Sequence, residues 1–125
     1  MLAPKNGSNV STMETQIMIN LQNLPTEKEA LKILQKAFDF RYLPESEVQI
    51  LSNWDAFDDW MWGLKEDSFV VRETGAKKLI LIIEGSKSFQ ADFPWEYGFL
   101  VETLESTKLR YEKELDDFIF DYILS

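Results

Sequence analysis

The chain of 125 residues contains no cysteine and no histidine. Without cysteine there is no disulfide framework and no thiolate metal site, which suits a reducing compartment. Without histidine the commonest general base and metal ligand is missing. The start carries no basic-then-apolar secretory pattern, and no apolar run approaches the roughly 20 residues of a membrane span. The glycosylation-type triplets Asn6-Gly7-Ser8 and Asn9-Val10-Ser11 are therefore read as chance, and a cytoplasmic protein is expected. There is also no phosphate loop, no G-x-G-x-x-G fingerprint and no nucleophile elbow. Cations are scarce too, with 13 Lys and Arg against 22 Asp and Glu, for a net charge of −9. Such a chain is repelled by nucleic acid and by anionic membranes, so the charge favours a basic protein partner.

At this length, with 45% hydrophobic residues, the chain is expected to be one domain with a modest core. Residues 1–12 are polar and aperiodic and read as a flexible tail before a domain spanning 13–125. Residues 15–20 (TQIMIN) predict a first strand. Pro25 and Thr26, with Glu29 three residues after the threonine, suggest a capping box. Ala30, Leu31, Leu34, Ala37 and Phe38 then follow at helical spacing. Pro44 opens a loop that runs to Ser52. Residues 65–78 allow either an edge strand around Phe69–Arg72 or an apolar anchor in a long connection. Five consecutive aliphatics at 79–83 predict a strand buried on both faces, as in parallel sheets covered by helices. Residues 85–92 fit a short helix or turn. Pro94 opens a long helix with Tyr97, Leu100, Val101, Leu104, Tyr111 and Leu115 as its buried stripe. Residues 118–124 (FIFDYIL) form a last strand. The order predicts an α/β fold, a small three-stranded parallel sheet with helices packed on it.

Between these elements lies an unusual helix. At about 100° per residue, Trp54, Phe57, Trp60, Met61 and Leu64 fall on one face, while Asp55, Asp58, Asp59 and Trp62 fall on the other. Carboxylates at i, i+3 and i, i+4 repel one another by a few tenths of a kcal/mol per pair. A surface with no partner would more easily intersperse Lys or Arg. The surrounding charge agrees: residues 41–69 carry two basic and seven acidic residues, whereas 1–40 are balanced at four of each.

Each outward residue also has a structural reading. Asp55 with Ser52 matches a capping box, and an acid in the first turn suits the helix dipole. Asp59 lies beyond the reach of a cap, which favours an intermolecular role. Asp58 flanks the face and could be solvated. Trp62 reads equally as an interface anchor, where indoles are enriched, or as a lid over the core under 65–78. Asn53 reads as a cap. The aspartates could hold Mg²⁺ through one or two carboxylates, yet nothing else in the chain supports a metal, a cofactor or catalysis.

Asn53-Trp54-Asp55-Ala56-Phe57-Asp58-Asp59, followed by Gly63, resembles the N-x-D-A-φ-x-D-(x)3-G segment of the barstar family, intracellular inhibitors of secreted ribonucleases. The order of elements over 13–125 is similar as well. The resemblance implies a barstar-like fold and an inhibitor of immunity or antitoxin type. Its helix would plug a cationic ribonuclease or toxin in a 1:1 heterodimer, with Asp55 and Asp59 imitating substrate phosphates and Asp58 and Trp62 among the other contacts. It implies no enzyme activity, cofactor or metal. Ile50-Leu51-Ser52 and Asp58 depart from the family pattern, which points to a cationic enzyme other than barnase. The competing expectation is a non-inhibitory acidic protein-interaction module on a barstar-like fold.

Overall fold

The structure is a computed structural model that describes residues 14–43, 48–114 and 117–125. The expected tail over 1–12, the start of the loop at Pro44 and Leu115 lie outside the described residues. Three strands, β1 (Glu14–Asn20), β2 (Lys78–Glu84) and β3 (Ile119–Leu124), form one parallel sheet in the order β1-β2-β3. The register sets Ile17 beside Leu81 and Leu81 beside Tyr122. Among the described residues six helices accompany the sheet: α1 (Lys28–Phe38), α2 (Trp54–Trp62), α3 (Leu64–Asp67), α4 (Phe69–Thr74), α5 (Ser86–Asp92) and α6 (Pro94–Lys113). The predicted α/β class and three-stranded parallel sheet are observed. Among the described residues, no helix is long and apolar enough to cross a membrane.

The aliphatic run in β2 does not behave as its composition suggests. Leu79, Leu81 and Ile83 are fully buried, but Ile80 and Ile82 are only half-covered. Topology explains the correction. Both crossovers step in the same direction across the sheet, and right-handed crossovers in one direction deliver their helices to one face. Covering the second face needs a reversal of strand order, and β1-β2-β3 has none.

Residues Phe69–Arg72 lie in the helix α4, so the edge-strand expectation there falls. Ser68 caps α4 by accepting from Val71 N–H at 3.2 Å, while its hydroxyl donates to Phe38 O at 2.6 Å. Val71 is buried, so the segment does anchor an apolar side chain. The Thr26 capping box is not formed by side chains. Instead the main chain starts α1, with Glu29 N–H bonding Thr26 O at 3.3 Å and Ala30 N–H bonding Glu27 O at 3.1 Å. At the other end of α1, Asp39 takes a left-handed conformation (φ 56°), and Arg41 forks onto its carboxylate at 2.6 and 2.9 Å.

Two contacts lock β3 to α6. The Tyr122 hydroxyl donates to Glu105 at 2.6 Å, and Lys108 pairs with Asp121 at 3.2 Å. Burial, together with the bond to Glu105, pushes the Tyr122 phenol from its ordinary 10.0 up to about 12. The folded state therefore keeps a proton that the unfolded chain releases. The contribution is whole below about pH 10 and is lost as pH rises toward about 12. Lys108, raised first by its hydrogen bond to Asp121 and then by that carboxylate's charge, titrates with the same sign. Thermal melts across this range should show falling stability, and Tyr122→Phe should flatten the part owed to the phenol. An unchanged slope in the variant would refute the assignment.

Candidate functional site

Helix α2 is held from both ends and from behind. Asn53 is the N-cap, with an extended backbone and a side chain that accepts from Ala56 N–H at 2.7 Å. This displaces the Ser52–Asp55 capping box, because Asp55 lies one residue short of the box position counted from Asn53. The Trp54 indole donates to Glu27 at 2.8 Å and ties the start of α2 to the approach of α1. Gln35 of α1 steers the preceding loop. Its carbonyl oxygen accepts from Ile50 and Leu51 N–H at 2.8 and 2.9 Å, and its amide donates to Val48 O at 2.8 Å. At the C-terminal end, Gly63 N–H bonds Met61 O and Trp60 O, and Arg110 of α6 donates to Met61 O at 2.8 Å. The guanidinium thus answers carbonyls that a helix end leaves unpaired.

The inward face matches the predicted split. Phe57, Met61 and Leu64 are fully buried, while Trp54 and Trp60 pack half-buried on the core. Trp60 stacks obliquely on Phe40 at 5.4 Å and meets Tyr42 edge-on at 5.5 Å, so it faces away from the carboxylates.

Outward, the four predicted residues share one side of α2 but differ in state. Asp55 and Asp59 are exposed and have no partner among the described residues. Asp58 is half-buried and accepts from the Thr103 hydroxyl of α6 at 3.2 Å, so part of its hydrogen-bonding capacity is used internally. Trp62 is 63% exposed, and segment 65–78 does not roof it, which removes the lid reading. Arg110 lies 4.5 Å from the Trp62 ring centroid, a cation–π contact that holds the indole in place.

Helix α6 adds residues that the periodicity argument passed over. Its inner stripe is Leu100, Thr103, Leu104, Thr107 and Tyr111, where two buried threonines let α2 approach closely. A second stripe, Trp95, Phe99, Glu102, Ser106 and Leu109, runs along the outside at alternating spacings of four and three. Trp95 is 79% exposed and Phe99 about half. Counting that 4-3-4-3 repeat separately from the core stripe would have revealed it.

Two clefts lie between the helices. One of about 360 Å³ is lined by Trp54, Asp55, Asp58, Phe99 and Glu102. The other, of about 430 Å³, is lined by Asp58, Trp62, Thr107, Leu109 and Arg110. Asp58 borders both. The face offers carboxylate acceptors beside aromatic walls, a combination suited to guanidinium and ammonium groups.

Compared with protein-family models, with curated proteins and with solved structures, the chain gives no match. What the face can bind must therefore be read from the surface itself. Among the described residues, no three carboxylates converge as a metal site. The Asp55 and Asp59 carboxylates lie exposed on a helix that is braced at both ends.

Proposed function

We propose that the chain is a barstar-like inhibitor of immunity or antitoxin type, which lays α2 and the adjoining face of α6 into the cationic active site of a ribonuclease or other cationic toxin. The reading rests on one observation: Asp55 and Asp59 stand exposed, without a partner among the described residues, on a helix braced at both ends. Exposed charges on a rigid element lose little conformational freedom on docking, which is what preorganised recognition requires. Clustered negative charge steers a basic partner, and a fixed Trp62 supplies an aromatic anchor beside it. The barstar-like motif over Asn53 to Gly63, and the strand and helix order around it, support the same reading. In this role the protein works by occupying a site in a 1:1 complex in the cytoplasm. It needs no cofactor or metal and catalyses no reaction.

Co-expression with a nuclease encoded beside it tests the proposal. The wild-type chain should restore growth, and Asp55→Lys with Asp59→Lys should abolish rescue at equal protein level. Failure to rescue from any neighbouring nuclease would overturn inhibition and favour a non-inhibitory acidic interaction module.

A further inference from the structure

The N-terminal half of α6 carries an open slot. Trp95, Phe99 and Glu102 stand four and three residues apart and so share one side of the helix. With Pro94 and Gly98 they line a cleft of about 370 Å³. Neither the Trp95 indole N–H nor the Glu102 carboxylate has a partner among the described residues. Gly98 is the informative member, because glycine weakens an exposed helix interior relative to alanine. Packing does not ask for it: a Cβ at Gly98 would meet nothing within 4 Å beyond the helix itself. The missing side chain leaves bare main chain as a floor between an indole and a carboxylate, where a ligand can approach closely.

We infer that this slot takes an arginine side chain of the cationic partner, an inference that rests on the inhibitor reading for the identity of that partner. An indole face attracts cations more strongly than other aromatic rings, and a guanidinium both stacks on it and forks onto a carboxylate. The charge is complementary, since no Lys or Arg lines the slot. The site also continues the acidic face of α2. The neighbouring cleft shares Phe99 and Glu102 with the slot and adds Asp55 and Asp58. An anionic ligand is disfavoured by the net charge of −9, and a second copy of the chain would bring like charge against Glu102. The slot thus selects among cationic partners. One without an arginine at this reach keeps the α2 contacts and loses this one.

Titration of the full chain with acetyl-arginine amide tests this, followed by nuclear magnetic resonance at the indole N–H signal that Trp95→Phe removes. The signal should shift saturably, with a midpoint on the order of 1–10 mM. Acetyl-lysine amide should bind about threefold or more weakly, and acetyl-citrulline amide, planar but uncharged, should not saturate. Glu102→Gln should raise the arginine midpoint about threefold. Gly98→Leu should fill the floor and abolish the shift while melting at or above wild type, because leucine is the better helix former. Five results would overturn the inference: no saturable shift, equal midpoints for arginine and either analogue, an arginine midpoint unmoved by Glu102→Gln, a Gly98→Leu protein that binds as wild type or melts lower, or a Trp95 signal that moves with protein concentration alone, which would put a second copy in the slot. No nuclease enters the experiment, so its failure is distinct from failure of the inhibitor reading.

Discussion

Asp59→Ala should weaken binding of the proposed cationic partner by about a hundredfold or more, whereas Glu73→Ala on α4 should change it less than about twofold. Both side chains are exposed acids on helices, and each removes one charge, so the comparison holds net charge constant. The difference lies in position: Asp59 shares the outward side of a braced helix with Asp55, Asp58 and Trp62. Most of the loss should appear as faster release, because a carboxylate desolvated against Arg or Lys acts on the bound state. Association should slow mainly with added salt, for wild type and variant alike. Asp58→Ala should cost less than Asp59→Ala, because Asp58 already accepts from Thr103. Stability should move in the opposite direction. Removing Asp59 relieves its repulsion with Asp55 by a few tenths of a kcal/mol, so the variant should melt no lower than wild type. Equal binding losses from Asp59→Ala and Glu73→Ala, measured by stopped-flow or surface-based kinetics, would sink this assignment.

The sequence carries some of these features because their causes are local. The two faces of α2 follow from helical period, and its N-cap from an asparagine beside the first turn. The strands follow from short β-prone runs. What the sequence hides depends on distant partners. The Ser68 cap is local, but the bond its hydroxyl donates to Phe38 O reaches back 30 residues. The Arg110 brace on α2 spans 49 residues. Five aliphatics in a row encode a central strand, but not which of its faces receives helices, since strand order decides that. The α6 stripe hides for another reason. Its polar members Glu102 and Ser106 dilute the apolar repeat, while Thr103 and Thr107 make the true core stripe look polar.

Phe57→Ala should cost about 3–5 kcal/mol, a large share of the roughly 5–15 kcal/mol that holds a domain of this size. The ring is fully buried and meets Trp54 edge-on at 5.9 Å, on the side of α2 opposite the carboxylates. Its removal leaves a cavity beneath the helix, and neighbouring rings close such a void only partly because interiors are already densely packed. The melting temperature should fall by about 10–20 °C. Binding should also fall, for a different reason than in Asp59→Ala. The carboxylates remain present, but the element that aims them loosens, and ordering it again is charged against affinity. The two substitutions therefore separate the roles of the two faces. Asp59→Ala should weaken binding while the fold stays as stable, whereas Phe57→Ala should lower both together. A Phe57→Ala protein that melts within about 3 °C of wild type would mean that α2 is not anchored through this ring and that the acidic face is not preorganised by it.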